Sequence, residues 1–506
     1  MNRNNYWKIF KEEICSNKII LLSAIIIAIV SFGFAITNFS VGVDDPMRDH
    51  YLYSGDSGSM IQQGRLLHVV FNGVTGLVDY IPFFNEFVAA GLFLVSALLF
   101  AALFQYITNN KFSVQTVTAF CCIYVSYSII NEKFIYSLDI IVTMISYCCS
   151  ALALMYAYKF TEENSRSAFL KSLLLLIVAM GSYESFIFVY FCGVFIIFVL
   201  QICTNNVKMT LKTFLQKGIK YASILLVALV IYYGIVYVIQ IATNQYGIFE
   251  RNNAWQNSNG VFWNFKEITK TILKDLLVWE YLPILEFVVF SGLGSIFCIY
   301  SAIRKRSLVL LISFASLVVG NLVIHYFCGY IMYRAAQTFC LFVAFIALML
   351  IEELRGVNIL KKPLIVLTVF IVMLQAADLN RWFYNDYIRY RKESFVVDTI
   401  ATRLVAECDI SKPVVFVNNP YDGYLNNNIG TQNSVNGNSM IYWGIGAFLK
   451  GTMHEIFESY GYDFLIKATD AQVEAAKEIS IDMTCWPNEG CIKEVDSFIV
   501  VNMGSR

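Results

Sequence analysis

The sequence predicts an all-α polytopic membrane protein of about eleven transmembrane helices, with a small α/β domain at the C-terminal end on the extracytoplasmic side. Three observations carry this reading. Of 506 residues, 58% are hydrophobic and only 15% charged, whereas a typical soluble domain carries about 25% charged residues. Apolar stretches recur along the first three quarters of the chain, each close to the roughly 20 residues that cross about 30 Å of hydrocarbon. Beyond Arg381 the pattern changes to polar turns and short β-type runs.

The expected spans are, in order, 19–39, 86–107, 112–130, 135–158, 172–183, 186–203, 221–241, 283–303, 308–328, 335–351 and 363–379. The first has a basic flank but no small-residue cleavage site, so it reads as a retained span rather than a signal peptide. The stretch 173–203 is ambiguous: as one helix it is about 45 Å long, and as two it is tight. Charge decides. Lysine and arginine in short loops mark the cytoplasmic side. With the N-terminus inside, the inner segments carry Lys8, Lys11, Lys18, Lys159, Lys171, Lys208, Lys217, Arg304, Arg306, Arg355, Lys361 and Lys362 among others. Lys171 and the basic stretch 208–220 then share a side, which requires a hairpin turning near Tyr183-Glu184. Eleven spans place the tail outside. The organisation is a transmembrane domain, 1–381, with large outer segments 40–85 and 242–282, followed by a tail domain, 382–506. In the tail, 394–408 has helical spacing, while 413–417, 463–466 and 498–501 read as strands. Between them lies a turn-rich stretch, 418–442.

Composition also excludes. The 37 basic residues balance 37 acidic ones, which removes a bulk-charge case for nucleic-acid binding. There is no P-loop and no dinucleotide fingerprint, and no cytoplasmic loop is large enough for a nucleotide-sugar domain. Most of the thirteen cysteines lie in apolar runs, where they act as small hydrophobes. Cys485 and Cys491 bracket a turn; their spacing permits a disulfide without requiring one. The four histidines are too scattered for a metal motif.

Polar residues at the outer interface carry what chemistry there is. Asp44 and Asp45 follow the first span by a few residues. Adjacent carboxylates there are costly to desolvate unless paired or used. One suits proton abstraction from a hydroxyl; the other suits orienting it or holding a divalent cation such as Mg or Mn. A solvated acidic loop with Asx turns before Pro46 is the competing reading. Gln63-Gly64-Arg65 closes the same outer loop. Arg65 suits bidentate phosphate binding, or else snorkels to water. Asp139, expected one turn inside the fourth span, Glu184 at the hairpin tip, His325, Arg334, Glu132 and Lys133 all fall at the same outer level. Such groups face a cavity or pair with each other, as Asp139 with Arg334 would.

Val43-Asp44-Asp45-Pro46-Met47-Arg48 and Gln63-Gly64-Arg65-Leu66-Leu67 resemble the Gtr serotype-converting glucosyltransferases, polytopic GT-C enzymes that modify bacterial O-antigen. Gly181-Ser182-Tyr183-Glu184-Ser185 and the isolated Arg334 match the same family, although its members often carry Gln where Glu184 stands. The resemblance implies an inverting membrane glycosyltransferase of the bacterial inner membrane, N-terminus cytoplasmic and C-terminal domain periplasmic. It implies a polyprenyl-phosphate-linked donor, glucosyl in kind, and a lipid-linked polysaccharide acceptor, O-antigen of lipopolysaccharide. In that setting Asp44 and Asp45 are catalytic, Arg65 and Arg334 hold the donor phosphate, and Arg48, Asp139, Tyr183, Glu184 and His325 line the site. Two alternatives stand beside it: an O-antigen polymerase or ligase, and a lipid-linked-sugar flippase or transporter. The acidic first outer loop argues against the former. The absence of a visible repeat argues against the latter.

Overall fold

A computed structural model describes residues 5–42, 58–75, 81–137, 139–204, 209–245, 260–277, 281–420, 425–426, 433–442 and 452–504. The longer helices after the N-terminal turns are α1 (Lys18–Thr37), α2 (Leu66–Thr75), α3 (Phe84–Thr108), α4 (Val114–Ser126), α5 (Ile140–Glu163), α6 (Arg166–Met180), α7 (Phe186–Cys203), α8 (Leu211–Thr243), α9 (Val261–Leu276), α10 (Leu282–Lys305), α11 (Leu308–Cys328), α12 (Gln337–Leu354), α13 (Lys361–Glu407), α14 (Thr452–Ser459) and α15 (Asp470–Ile479). Among the described residues, ten helices are long and apolar enough to cross a membrane. This is a polytopic helical membrane fold with a small C-terminal sheet.

Helix ends fall where the sequence supplies caps. Ser113, Ser165, Thr210 and Ser307 are N-caps whose hydroxyls accept a first-turn amide. Asn109, Asn164 and Asn244 close α3, α5 and α8 in the left-handed conformation that asparagine tolerates. The chain reverses between α6 and α7 at Gly181–Ser185, where the charge argument puts a hairpin. Of the two helices, α6 has 15 residues, about 22 Å at 1.5 Å per residue, short of the hydrocarbon thickness. The fourth expected span starts later than its hydropathy suggests. Residues 131–134 form a separate helical turn, and α5 begins at Ile140. Asp139 is therefore the N-cap residue of α5 rather than a residue one turn inside it.

The chain divides into two compact units: residues 1–37, 58–134 and 139–380, and residues 38–57, 135–138 and 381–506. In the first, α3, α4, α5, α7 and α12 are mostly buried, with Phe93 stacked on Tyr124 at 4.8 Å and Phe104 edge-on to Phe120 at 5.1 Å. Helices α1 and α8 and the first turns of α13 expose Ile26, Val230, Val366 and their neighbours, as lipid-facing helices do. Polar side chains tie buried faces together. Gln375 donates to Glu286 at 2.9 Å and accepts from Ser126 at 2.6 Å, the kind of interhelical bond that has few alternatives in hydrocarbon.

In the second unit the sheet runs β2-β1-β4-β3, with β1 (Pro413–Val417) parallel to β2 (Ile466–Lys467) and β4 (Ile499–Asn502), and β3 (Ile492–Glu494) antiparallel to β4. Alternation fills both faces. Val414, Ile499 and Val501 meet Val397, Ile400 and Leu404 of α13 on one side; Val415, Val417 and Val500 meet Ala476 of α15 on the other. The sequence suggests separate helices at 363–379 and 394–408, but α13 is one helix of 47 residues. Charges between them interrupt the hydropathy without interrupting the helix, because no Gly or Pro intervenes and ion pairs at helical spacing bridge the gap. Arg389 is fully buried between Asp386 at 3.0 Å and Glu393 at 2.6 Å. Glu393 also accepts from Ser439 Oγ, the Ile441 amide and Tyr460 Oη, so the buried acid pins part of the turn-rich stretch. Cys485 and Cys491 are not joined; Arg403 Nη1 lies 3.2 Å from the Cys491 sulfur.

Candidate functional site

The Gln63-Gly64-Arg65 turn is built by three neighbours. Gly64 takes φ 72°, a left-handed geometry that suits glycine. Its carbonyl accepts from Tyr232 Oη at 2.8 Å, and Gln240 of the same helix, α8, donates to the Ile61 and Gln62 carbonyls. The Leu67 amide bonds the Gly181 carbonyl at 2.8 Å. A Cβ on Gly181 would stand 3.3 Å from that of Leu67, so glycine here lets the hairpin tip approach the turn.

The clamp presents Arg65 to Asp139 and Tyr183. Arg65 Nη1 is 3.6 Å from Asp139 Oδ2, and its guanidinium carbon 4.7 Å from the centre of the Tyr183 ring. Arg65 Nε is buried without a hydrogen-bond partner among the described residues. Asp139 makes no capping bond to α5, although aspartate at this position ordinarily does. Its other oxygen lies 2.9 Å from His68 Nδ1, and His68 Nε2 is 3.3 Å from the Ser182 carbonyl. The imidazole is thus held between the Asp139 carboxylate and the Ser182 carbonyl. Asp139 pairs with Arg65 and His68 where the sequence suggests Arg334.

Lys133 completes the group. Its side chain is buried, its ammonium is 3.7 Å from the Tyr183 ring centre, and Arg65, Arg334, Asp139 and Glu132 all lie within its electrostatic reach. Arg334 sits in the short helical turn Tyr333–Ala335 between α11 and α12, with Nε 3.4 Å from the Met332 sulfur. Two guanidiniums, Arg65 and Arg334, and the Lys133 amine stand beside two carboxylates, Asp139 and Glu132, a set of donors complementary to a phosphate.

The remaining expected residues are placed less centrally. Glu184 acts electrostatically on Tyr232 and Tyr233 of α8. His325 is fully buried near the end of α11, edge-on to Phe339, with both ring nitrogens lacking a partner among the described residues. Asp44, Asp45 and Arg48 lie outside the described residues. Among the described residues no cluster of three or more His, Cys, Asp or Glu is arranged to hold a metal. Two members of the basic group carry more than the sequence suggests. Lys133 reads there as one residue of an outer turn, and His68 as an isolated histidine. The available signal was the like charge: Lys133 and Arg65 both sit at the ends of apolar runs on the same expected side.

A family model described as Glucosyl transferase GtrII matches residues 33–376. That segment includes every residue of the cluster and the acidic pair. Neither a curated protein nor a solved structure matches the chain.

Proposed function

The chain belongs to the GtrII glucosyl transferase family, and from that premise we propose that it transfers glucose from a polyprenyl-phosphate donor to a lipid-linked O-antigen or related cell-surface polysaccharide, at the periplasmic face of the bacterial inner membrane. The observation that carries the donor assignment is Arg65 and Lys133 over the Tyr183 ring, with Arg334 within electrostatic reach of Lys133. Glycosyl transfer passes through an oxocarbenium-like state. As the anomeric C–O bond breaks, charge collects on the departing lipid phosphate, and preorganised cations stabilise it there. Arg65 offers its buried Nε to a phosphate oxygen, and Asp139 with Tyr183 holds the guanidinium in place. Lys133 and Arg334 supply the rest of the counter-charge.

Asp44 is the base that takes the proton of the acceptor hydroxyl as that oxygen bonds to the anomeric carbon, and Asp45 orients it. Attack opposite the leaving phosphate inverts the anomeric centre. The positive-inside distribution of Lys and Arg supports the outward orientation of this end of the bundle. The test is transfer in vitro from polyprenyl-phosphate glucose to a lipid-linked acceptor. Asp44→Asn is expected to lose at least a hundredfold in turnover while remaining monodisperse. Normal turnover in well-folded Asp44→Asn and Asp45→Asn alike would overturn the catalytic assignment.

A further inference from the structure

A second feature of the bundle lies at the far end from this cluster. An elongated groove of about 320 Å³ runs between α1, α4, α12 and α13. Its walls are apolar, including Ile19 and Ile27 of α1 and Leu364 and Val372 of α13, while Ala119 of α4 is small enough to leave the space open. At its lip stand two cations, Arg355 and Lys361.

Two helices fix which end this is. Arg334 precedes α12 and Arg355 follows it, and α12 has 18 residues, about 27 Å at 1.5 Å per residue. Likewise the groove takes the first turns of α4, whose far end leads to Lys133. The lip of the groove and the phosphate-type cluster are therefore separated by nearly the hydrocarbon thickness of a bilayer. Along α13 the lining runs from Lys361 to Met373, about 18 Å, close to the depth of one leaflet. The groove thus starts at a charged lip and ends near the bilayer midplane.

The lip is constructed. Glu352 Oε1 accepts from Arg355 Nε at 2.8 Å and Nη2 at 2.6 Å, and Glu352 Oε2 accepts from Thr116 Oγ1 at 2.8 Å. The first turn of α4 thereby holds the carboxylate, and the carboxylate holds one edge of the guanidinium. Glu352 offsets one of the two cations, leaving a single positive charge to be matched. We propose that the groove is a binding site for one anionic diacyl phospholipid of this leaflet, with its phosphate at Arg355 and Lys361 and an acyl chain along α13. Charge complementarity selects an anionic headgroup over a zwitterionic one, and the depth selects a lipid of one leaflet. The site is independent of the transfer reaction.

The test is native mass spectrometry of the detergent-solubilised full-length protein, titrated with phosphatidylglycerol or with phosphatidylcholine of the same chains. Near a membrane surface each unpaired Lys or Arg favours an anionic headgroup about fivefold, so with one positive charge left over the wild type is expected to prefer phosphatidylglycerol by about fivefold. Arg355→Gln/Lys361→Gln is expected to lose that preference, and Arg355→Lys/Lys361→Arg to keep most of it, which separates lost charge from misfolding. Equal retention of both lipids by the wild type would overturn the proposal. So would a preference that survives in the double glutamine variant, or displacement of phosphatidylglycerol by an equimolar polyprenyl phosphate.

Discussion

Lys133→Met separates a working site from a structural one. Lys133 Nζ and Arg65 Cζ lie 3.7 and 4.7 Å from the same Tyr183 ring centre, so the two charges are within about 8 Å of each other. At an effective dielectric of about 20, like charges at that distance repel by roughly 2 kcal/mol. Methionine removes this repulsion and the cost of desolvating the ammonium. It also forfeits the cation–π contact, about 1–2 kcal/mol when desolvated, and the attraction to Asp139 and Glu132. Desolvation and the like charges of Arg65 and Arg334 outweigh the attraction to the two carboxylates, so the thermal midpoint is not expected to fall by more than a few degrees. Activity behaves otherwise. Losing one preorganised charge at a developing phosphate dianion costs about 2.7–4 kcal/mol, a hundred- to thousandfold in turnover. The assay is single-turnover transfer from polyprenyl-phosphate glucose by detergent-solubilised protein, beside a thermal melt of the same sample. Turnover within about threefold of wild type at an unchanged midpoint would refute the reasoning, because Lys133 would then do nothing for the phosphate.

Two predictions concern the second unit. Arg389→Ala leaves Asp386 and Glu393 buried without their cation, which is expected to cost about 3–5 kcal/mol and to show as early loss of hydrogen-exchange protection in Val414–Val417. His454 is the pH-dependent element. Burial holds its imidazole below the ordinary 6.5, and its Nε2 stands 3.0 Å from the Ile466 carbonyl. The folded state resists the proton that the unfolded chain accepts. Stability present above pH 6.5 is therefore lost as the pH falls below it, and the melting midpoint of His454→Gln should fall less steeply than wild type between pH 7 and 5.

How much of this was legible in the sequence depends on what kind of physics wrote each part. Spans were legible because hydrocarbon imposes a length on each. The hairpin at 181–185 was legible because two basic flanks demand an even number of crossings. The Gln63-Gly64-Arg65 turn could be singled out by its glycine, although the residues that clamp it, Tyr232, Gln240 and Gly181, are more than a hundred positions away. Lys133 was harder. Asn131-Glu132-Lys133 looks like any exposed polar turn, and only packing against Tyr183 reveals a buried ammonium. The same holds for His68, whose partner Asp139 became available because α5 starts several residues later than hydropathy suggests. Continuity of α13 was hidden for the opposite reason: the hydropathy signal stops near residue 379, while helix propensity and the Asp386–Arg389–Glu393 pairing carry the helix onward.

The account rests on a phosphate seated among Arg65, Lys133 and Arg334, and an electron-microscopy map of the protein with bound polyprenyl phosphate examines that directly. It should show the phosphate at hydrogen-bond distance, about 2.7–3.2 Å, from Arg65 Nε and from the Lys133 ammonium. A bound polyprenyl chain whose phosphate lies away from Arg65, Lys133 and Arg334 would contradict it.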